Sequence, residues 1–314
     1  MNALIASLSN GDNSEPHQGV LAYRAPSLLQ PHRARDAIRD AHDGKIAPLI
    51  GFFIGLPSPP IAKVAAQLGY DCVWIDWEHT SMSVETMTQM VQDVQFMSEG
   101  KSFAIVRVPG HDHANIGYAL DAGASILVPQ VGTVEEAKAI VSAAKFGAVR
   151  NGTRSAPPAR FLMGISDTSI DPTKSIWENV NNQAAIIIQI ETLEAIHNLD
   201  AILTECGEHI DSVWLGSLDA RVSMGLPNMW GEEKEWTDAV ALYESTLAKH
   251  DKPSSGMAMG FSLDAKLAMA GGKSLLISGS DIFPLMMQAD RDVARQYTGM
   301  PPRDSTRRRK ELAN

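Results

Sequence analysis

The sequence predicts an α/β protein that folds as a single (β/α)8 barrel, the TIM barrel. From residue 46 onward, short apolar runs rich in β-branched residues alternate with amphipathic stretches of ten or more residues. The apolar runs are continuous, which indicates strands that are buried on both faces, as parallel barrel strands are. The chain has 314 residues, and such a barrel takes roughly 250. One barrel with terminal extensions therefore fits the length.

The predicted strands and helices alternate along the chain. The eight predicted strands cover residues 48–54, 72–76, 103–108, 125–129, 184–190, 212–215, 254–259 and 274–278. Helices are predicted at residues 30–41, 61–68, 84–97, 114–121, 134–144, 193–204, 233–250, 262–270 and 282–297. A doubly wound open sheet is the alternative, but no glycine-rich phosphate loop follows the first strand.

Three regions are expected along the chain: a polar N-terminal arm with a short helix at residues 1–45, the barrel at 46–298, and a basic tail at 299–314. The four basic residues at 307–310 are expected to be solvated rather than bound to nucleic acid. The connection at residues 146–182 is longer than a compact domain needs. We therefore interpret it as a functional loop.

Composition excludes several classes of partner. The formal charge of −10 argues against nucleic acid or an anionic membrane surface, because such partners need clustered Lys and Arg. No apolar run approaches the roughly 20 residues of a membrane span, and the N-terminus lacks the pattern of a secretory signal. The two cysteines, Cys72 and Cys206, lie in apolar or helical segments, so no disulfide framework is expected. We expect a cytoplasmic protein.

Two acids follow neighbouring predicted strands. Glu191 ends the fifth strand and Asp219 follows the sixth, and catalytic residues of a TIM barrel come from these carboxyl ends. Two close carboxylates repel unless a cation lies between them, and oxygen ligands suit Mg²⁺ or Mn²⁺. The pair therefore predicts a metal site. The alternative is that one acid caps a helix and the other pairs with a surface base.

The second and third strands also end in polar side chains. Asp76 and His79 are spaced so that the carboxylate can orient the imidazole as a base. Arg107 can bind a substrate carboxylate or a developing enolate oxygen. Its alternative is a buried ion pair with Asp76 or Glu78. By position alone, Asp121 is simply the end of a helix.

These segments occur in the order found in a known family. They are residues 75–79 (IDWEH), 107–109 (RVP), 121–124 (DAGA) leading to 128–129 (VP), 189–192 (QIET), and 216–225 around Asp219. Together they resemble the HpcH/HpaI aldolase family over roughly residues 48–282. The resemblance implies a TIM barrel, a divalent metal, and reversible aldol cleavage of 4-hydroxy-2-oxo acids to pyruvate and an aldehyde. It also implies a homohexamer, a trimer of dimers, with an exchanged C-terminal helix.

The resemblance gives each candidate residue a role. Glu191 and Asp219 become ligands of the metal, with Mg²⁺ expected and Mn²⁺ or Co²⁺ as alternatives. The other roles are a His79–Asp76 acid–base dyad, Arg107 as a clamp on the carboxylate and enolate, Asp121 as an auxiliary acid, and Gln189 with the backbone near Leu218 and Asp219 as contacts of the 2-oxo acid.

Two features depart from the family pattern. The family usually has Gly-Pro-x-Asp-Leu-Ser, where this chain has Gly-Ser-Leu-Asp-Ala-Arg at residues 216–221. The loop at 150–161 lacks the glycine-rich form of bacterial members. Its Pro157-Pro158 and the long N-terminal arm are more similar to the macrophomate synthase-like branch, which forms the same enolate by decarboxylating oxaloacetate.

Three hypotheses about function follow. The first is a metal-dependent aldolase that acts through a pyruvate enolate. The second is a macrophomate synthase-like oxaloacetate decarboxylase that joins the enolate to another acceptor. The third is a non-catalytic barrel that serves as a scaffold. For both enzymes the expected partners are small molecules: pyruvate or oxaloacetate, with an aldehyde or another acceptor.

Overall fold

The computed structural model describes residues 19–147, 152–158, 160–227, 231–258 and 269–282. Within these residues, eight parallel strands pair in chain order, and the first strand also pairs with the last, so that the sheet closes. The prediction of a (β/α)8 barrel is confirmed. The strands are β1 (Leu49–Ile54), β2 (Cys72–Asp76), β3 (Phe103–Arg107), β4 (Ser125–Val128), β5 (Ile186–Ile190), β6 (Ser212–Leu215), β7 (Ser254–Met257) and β8 (Leu275–Ser280).

Helices connect most of the successive strands, and a short 3-10 helix (Gly19–Tyr23) precedes them. They are α1 (Ala34–His42), α2 (Pro59–Ala65), α3 (Val84–Met97), α4 (His113–Ala122), α5 (Val134–Ala144), α6 (Ile176–Asn181), α7 (Leu193–Cys206), α8 (Ser217–Ser223) and α9 (Lys234–Lys249). The bounds of α3 and α5 are those predicted. None of the described helices combines the length and the apolar character needed to cross a membrane.

Several helix predictions differ from the structure. α1 begins at Ala34 rather than at residue 30, because Pro31 disfavours a helical conformation at the residue before it. The buried Gln30 side chain donates to the carbonyl oxygens of Ser166 (2.7 Å) and Thr168 (2.9 Å). The unpredicted α6 and α8 have six and seven residues, too few for a periodic signal. The first 18 residues of the predicted N-terminal arm lie outside the described residues, as do all or most of the predicted helices at 262–270 and 282–297 and of the tail at 299–314.

The strands bury side chains on both faces. Trp74 and Ile105 point into the barrel, where they belong to the inner apolar cluster. Their neighbours Ile75 and Val106 belong to the outer cluster, which packs against the helices. Successive strand residues alternate between the two faces, so both faces must be apolar. This explains why the strands read as continuous apolar runs in the sequence.

α1 closes the amino-terminal end of the barrel. Its residues Ala34, Ala37 and Ile38 are fully buried and join the inner cluster. Arg35 fastens the helix to the body of the protein, with its Nε 2.7 Å from Oδ1 of Asp211. Since this end is filled, a small molecule reaches the barrel interior from the carboxyl-terminal end of the strands.

The long connection at residues 146–182 lies at the filled end. α5 returns the chain to the amino-terminal end before this connection begins. Within the connection, Nη2 of Arg154 is 2.7 Å from Oδ1 of Asp121 at the end of α4. The carbonyl oxygen of Ser166, also in the connection, accepts from Nε2 of Gln30. The described part of the connection therefore lies away from the carboxyl-terminal mouth of its own barrel, and its interpretation as a functional loop stays a prediction.

Candidate active site

The acids predicted from the sequence meet at the carboxyl-terminal rim. Glu191 directly follows β5, and Asp219 lies in the first turn of α8, after β6. β5 and β6 pair side by side up to Ile190 and Leu215. Both acids therefore project at the same side of the mouth, as parallel neighbouring strands require.

Glu191 is held by two hydrogen bonds inside the rim, where only 3% of its surface is exposed. Its Oε2 accepts from the backbone N–H of Gln130 at 2.8 Å, and its Oε1 accepts from Nε2 of Gln189 at 3.3 Å. Gly216 leaves the space for this side chain, since a Cβ there would lie 2.5 Å from both Cγ and Oε1 of Glu191. The carboxylate is thus positioned from three strand ends.

Gln130 adopts an uncommon backbone conformation to make its contact. Its φ is 55°, in the left-handed region that costs a non-glycine residue about 1 kcal/mol or more. Three residues later, Thr133 begins α5 with a capping box, in which Oε2 of Glu136 accepts from the Thr133 N–H at 3.0 Å. This cap fixes the loop that aims the Gln130 N–H at Glu191.

Burial and two neighbouring acids favour the protonated form of Glu191. Burial raises the pKa of Glu191 to about 7; the Gln130 N–H opposes this shift, and the charges of Asp219 and Glu78 add to it. Burial also raises the pKa of Glu78, and the positive charge of Arg107 opposes that shift. Three acids therefore interact at this rim, with one arginine among them. A cation bound between Glu191 and Asp219 would remove the electrostatic penalty.

The residues at this rim fit a divalent metal with an open coordination shell. Across the described parts of the chain, no group of three or more His, Cys, Asp or Glu side chains is arranged to hold a metal ion by itself. Mg²⁺ is commonly bound by only one or two carboxylates, with water and substrate completing its shell. Oε1 of Gln189 is also buried here, and no donor from the described residues reaches it. The donor set is oxygen throughout, which suits a hard cation.

Arg107 forms the buried ion pair that was its alternative interpretation. Its Nε is 2.8 Å from Oδ1 of Asp76, and its Nη2 is 2.6 Å from Oδ2. Oε2 of Glu78 lies 3.2 Å from the same Nε. The guanidinium also lies 5.0 Å from the ring centre of Trp74, which faces the barrel interior. Asp76 thus orients Arg107, and the two donors of Nη1 are directed away from it.

The predicted Asp76–His79 dyad is not formed in this structure. His79 contacts Asp76 only through its backbone N–H, at 3.4 Å from Oδ1, and its imidazole is 68% exposed. Nε2 of His79 is instead 3.6 Å from Oε2 of Glu78. The reason is that Arg107, from the neighbouring strand, occupies both oxygens of Asp76. Sequence spacing within one loop could not show this competition.

Gln189 and the first turn of α8 both lie at the carboxyl-terminal end of the barrel. Gln189 points into the barrel below Glu191 and is almost fully buried. Leu218 and Asp219 occupy the first turn of α8, and the first helical hydrogen bond comes from the N–H of Ala220 to the carbonyl of Gly216 at 2.9 Å. The N–H groups of Leu218 and Asp219 therefore have no acceptor within the helix.

Asp121 lies at the opposite end of the barrel from Glu191. It is in the last turn of α4, which runs antiparallel to the strands and ends before β4 begins. From Ala185, which is level with the start of β4, to Glu191 the strand rises roughly 20 Å. The expected auxiliary acid is therefore absent from the site formed within one chain. Asp121 instead pairs with Arg154.

Sequence reasoning missed three contributors to the site. Glu78 was considered only as a partner of Arg107, although its place directly after β2 was a usable signal. Gly216 precedes a helix, and its packing against Glu191 becomes visible only in three dimensions. Gln130 acts through its backbone N–H, which every residue except proline has, so its side chain gives no signal.

A closed (β/α)8 barrel with acids and an arginine at the carboxyl ends of its strands defines a TIM-barrel enzyme. Residues 49–259 match the model of one family, described as HpcH/HpaI aldolase/citrate lyase. The chain belongs to this family.

Known relatives cover different shares of the chain. A 4-hydroxy-2-oxovalerate aldolase from Novosphingobium aromaticivorans is 37% identical over 180 residues, which is 56% of this chain and 63% of that protein. A 2-keto-3-deoxy-L-rhamnonate aldolase from Klebsiella pneumoniae subsp. pneumoniae is 28% identical over 250 residues, 78% of this chain and 87% of that protein. The crystal structure of macrophomate synthase superposes with a TM-score of 0.81 at 28% identity, covering 93% of this chain and 98% of that one. The match to the first relative spans less than two thirds of its length.

The raised pKa of Glu191 predicts a stability difference that depends on pH. In the metal-free folded state its pKa is about 7, against an ordinary value of 4.5, so the folded protein keeps a proton that the unfolded chain loses. Wild-type stability should therefore fall as the pH rises between these two values. Glu191→Gln removes the charge, and we expect it to be more stable than wild type at pH 8 by about 1–2 kcal/mol after allowance for solvent screening.

Urea unfolding in EDTA at pH 5 and pH 8 measures this difference. At pH 5 the two proteins should be close in stability, because Glu191 is largely protonated there. A variant that is less stable than wild type at pH 8 would show that Glu191 carries no electrostatic penalty.

Proposed function

We propose that this protein is a divalent-metal-dependent carbon–carbon lyase that forms a pyruvate enolate in the reversible aldol cleavage of 4-hydroxy-2-oxo acids. The observation that carries the proposal is the pairing of Glu191 and Asp219 at the rim, with Arg107 beside them. The two carboxylates suit a cation, and the guanidinium of Arg107 suits the negative charge of a 2-oxo acid. The names of the aldolase relatives agree with this chemistry.

Glu191 and Asp219 would hold the metal, with Mg²⁺ expected and Mn²⁺ or Co²⁺ also suited to the oxygen ligands. When bound, the cation would withdraw electron density from the carboxylate and keto oxygens of the substrate. Gln130 and Gln189 keep the Glu191 carboxylate oriented through their hydrogen bonds.

Arg107 supplies a second positive charge where negative charge develops. Asp76 fixes its guanidinium through two charge-assisted hydrogen bonds, so the arginine needs little reorganisation during the reaction. Its Nη1 donors are left to bind the oxygen of the enolate. The substrate carboxylate would accept from the N–H groups of Leu218 and Asp219, and the Gln189 amide would lie below it.

His79 is proposed to move the proton of the acceptor half. In the cleavage direction, the bond between carbons 3 and 4 breaks and its electron pair stays with the pyruvate half. The 4-hydroxyl loses its proton to a base as the aldehyde leaves, and carbon 3 then takes a proton. The exposed imidazole of His79 lies beside the rim, with its Nε2 3.6 Å from Oε2 of Glu78, and we assign it the role of this base.

A second function is favoured by one observation. The structure superposes on macrophomate synthase with a TM-score of 0.81 over 93% of this chain and 98% of that one. An oxaloacetate decarboxylase that joins the enolate to another acceptor would use the same residues. In this reaction the bond to the leaving carboxylate breaks instead. As the assembly we propose the homohexamer, a trimer of dimers, that the family resemblance implies.

Two assays on the purified chain separate these functions. Release of pyruvate from a 4-hydroxy-2-oxo acid measures aldol cleavage, and loss of oxaloacetate absorbance measures decarboxylation. We expect both to depend on metal: EDTA and Glu191→Gln should each lower the rate by at least ~100-fold, because the cation supplies several kcal/mol of stabilisation. Added Mg²⁺ should restore only the EDTA-treated wild type.

Glu194→Gln is the matched control, since Glu194 is an exposed acid three residues further along and should tolerate the change. Faster decarboxylation than cleavage across several acceptors would favour the synthase. Full activity in EDTA would contradict the metal proposal for both functions.

Gly216→Ala tests how Glu191 is held. The φ of Gly216 is −76°, which alanine tolerates, but the new Cβ would lie 2.5 Å from Oε1 of Glu191 and displace it. We expect Mn²⁺ affinity, measured by electron paramagnetic resonance, to fall by about tenfold or more while the circular dichroism spectrum is unchanged. Gly132→Ala is the control, since its Cβ would meet Oε2 of Glu136 at an ordinary 3.7 Å. Unchanged affinity in Gly216→Ala would contradict the proposed role of Glu191.

A further inference from the structure

Arg221 is a buried arginine in α8, the same short helix that carries Asp219. It lies two residues after Asp219 in α8, and its side chain is 1% exposed. Its Nη1 is 2.8 Å from Oε2 of Glu233, and its Nη2 is 2.9 Å from Oε1. This is a two-point charge-assisted contact, which fixes direction as well as distance.

Glu233 connects this contact to a well-packed helix. It is the residue before α9, whose Ala239, Tyr243 and Leu247 are buried against the barrel. The Tyr243 hydroxyl also donates to the carbonyl of Val213 in β6, at 3.1 Å. The hydrogen bonds from Arg221 lower the pKa of Glu233, so the carboxylate stays charged at neutral pH. Arg221 therefore ties α8 to a rigid support.

Few residues of α8 are buried. Of its seven residues, only Ala220 and Arg221 are buried, so apolar packing contributes little to its position. Its first residue is Ser217, where the related pattern has a proline that would restrict the backbone. A helix of this length is not stable by itself. Within the part of the chain that the structure describes, the ion pair with Glu233 is thus a direct tertiary contact that links α8 to the start of α9.

Gly231 and Trp236 lie close to the ion pair. A Cβ at Gly231 would lie 2.5 Å from Nη2 of Arg221 and 2.6 Å from Oε1 of Glu233, so a larger residue there would press on both side chains. The ring centre of Trp236 is 5.3 Å from the guanidinium carbon, within range of a cation–π contact. The guanidinium therefore contacts both the Glu233 carboxylate and the Trp236 ring.

We propose that Arg221 is a positioning residue that sets the metal affinity of the site by holding the Asp219 carboxylate beside Glu191. This inference rests on the proposed metal site at Glu191 and Asp219. Arg221 acts through α8, and its guanidinium is directed to Glu233. Loss of the Arg221–Glu233 contact would allow α8 to shift. The shift would weaken binding of the metal by Asp219 and leave Glu191 in place.

The test measures Mn²⁺ affinity by electron paramagnetic resonance, and oxaloacetate decarboxylation as a function of Mn²⁺ concentration. For Arg221→Met we expect the Kd for Mn²⁺ to rise by about tenfold, within the range found when a supporting contact of a metal ligand is removed. The rate at saturating Mn²⁺ should stay within about twofold of wild type, because the bound state regains its geometry. Arg221→Lys keeps one of the two contacts with Glu233. Its Kd for Mn²⁺ should therefore lie between those of the wild type and Arg221→Met.

Glu233→Gln is the second variant, because it keeps a hydrogen-bond acceptor beside the buried arginine and is the milder change. We expect it to raise the Kd by about threefold even where Arg221→Met fails to fold. Arg35→Met is the matched control. It removes the largely buried pair of Arg35 Nε and Asp211 Oδ1 (2.7 Å) at the other end of the barrel, and it should lower the melting temperature without changing the Kd.

Wild-type Mn²⁺ affinity in folded Arg221→Met or Glu233→Gln would overturn the inference and leave the proposed function standing. An equal loss of affinity in Arg35→Met would also overturn it, because the effect would then be general destabilisation. A wild-type protein that binds no Mn²⁺ would overturn the proposed function and this inference together.

Discussion

Glu191 is a buried carboxylate beside two further acids, and the organisation of the rim depends on how that charge is accommodated. Parallel closure of the barrel brings the ends of β5 and β6 together, so Glu191 and Asp219 must share one corner. Two hydrogen bonds, from the Gln130 N–H and the Gln189 amide, orient the carboxyl group without supplying a full positive charge. Burial therefore raises its pKa to about 7. A bound cation would stabilise the charged form of the Glu191 carboxylate.

Positive and negative charge lie on different sides of the rim, with Arg107 on one side and Glu191 on the other. Arg107 is neutralised by Asp76 and oriented over Trp74, so its outer donors suit a substrate anion. On the other side of the mouth, Gly216 leaves room for Glu191, and Gln130 accepts a strained backbone to reach it. These features lower stability locally, which is common where function requires a particular geometry. At the far end, α1 fills the barrel and confines access to this rim.

The fold was predictable because its signal is local. Each strand is an apolar run with both faces buried, so β2 and β6 could be assigned from composition alone, and the acids after β5 and β6 followed from strand order. Contacts between elements were not predictable. Arg107 takes Asp76 away from His79 across two strands, and the antiparallel course of α4 carries Asp121 to the far end of the barrel. Arg221 finds Glu233 twelve residues away only because α8 folds back towards α9.

A crystal structure of the full chain with Mn²⁺ and oxalate, a stable analogue of the pyruvate enolate, tests the central claim most directly. Anomalous diffraction locates the metal independently of the protein density. We expect one peak about 2.1 Å from carboxylate oxygens of both Glu191 and Asp219, with oxalate between the metal and Arg107. A Mn²⁺ ion bound elsewhere, with Glu191 contacting only Gln130 and Gln189, would contradict it.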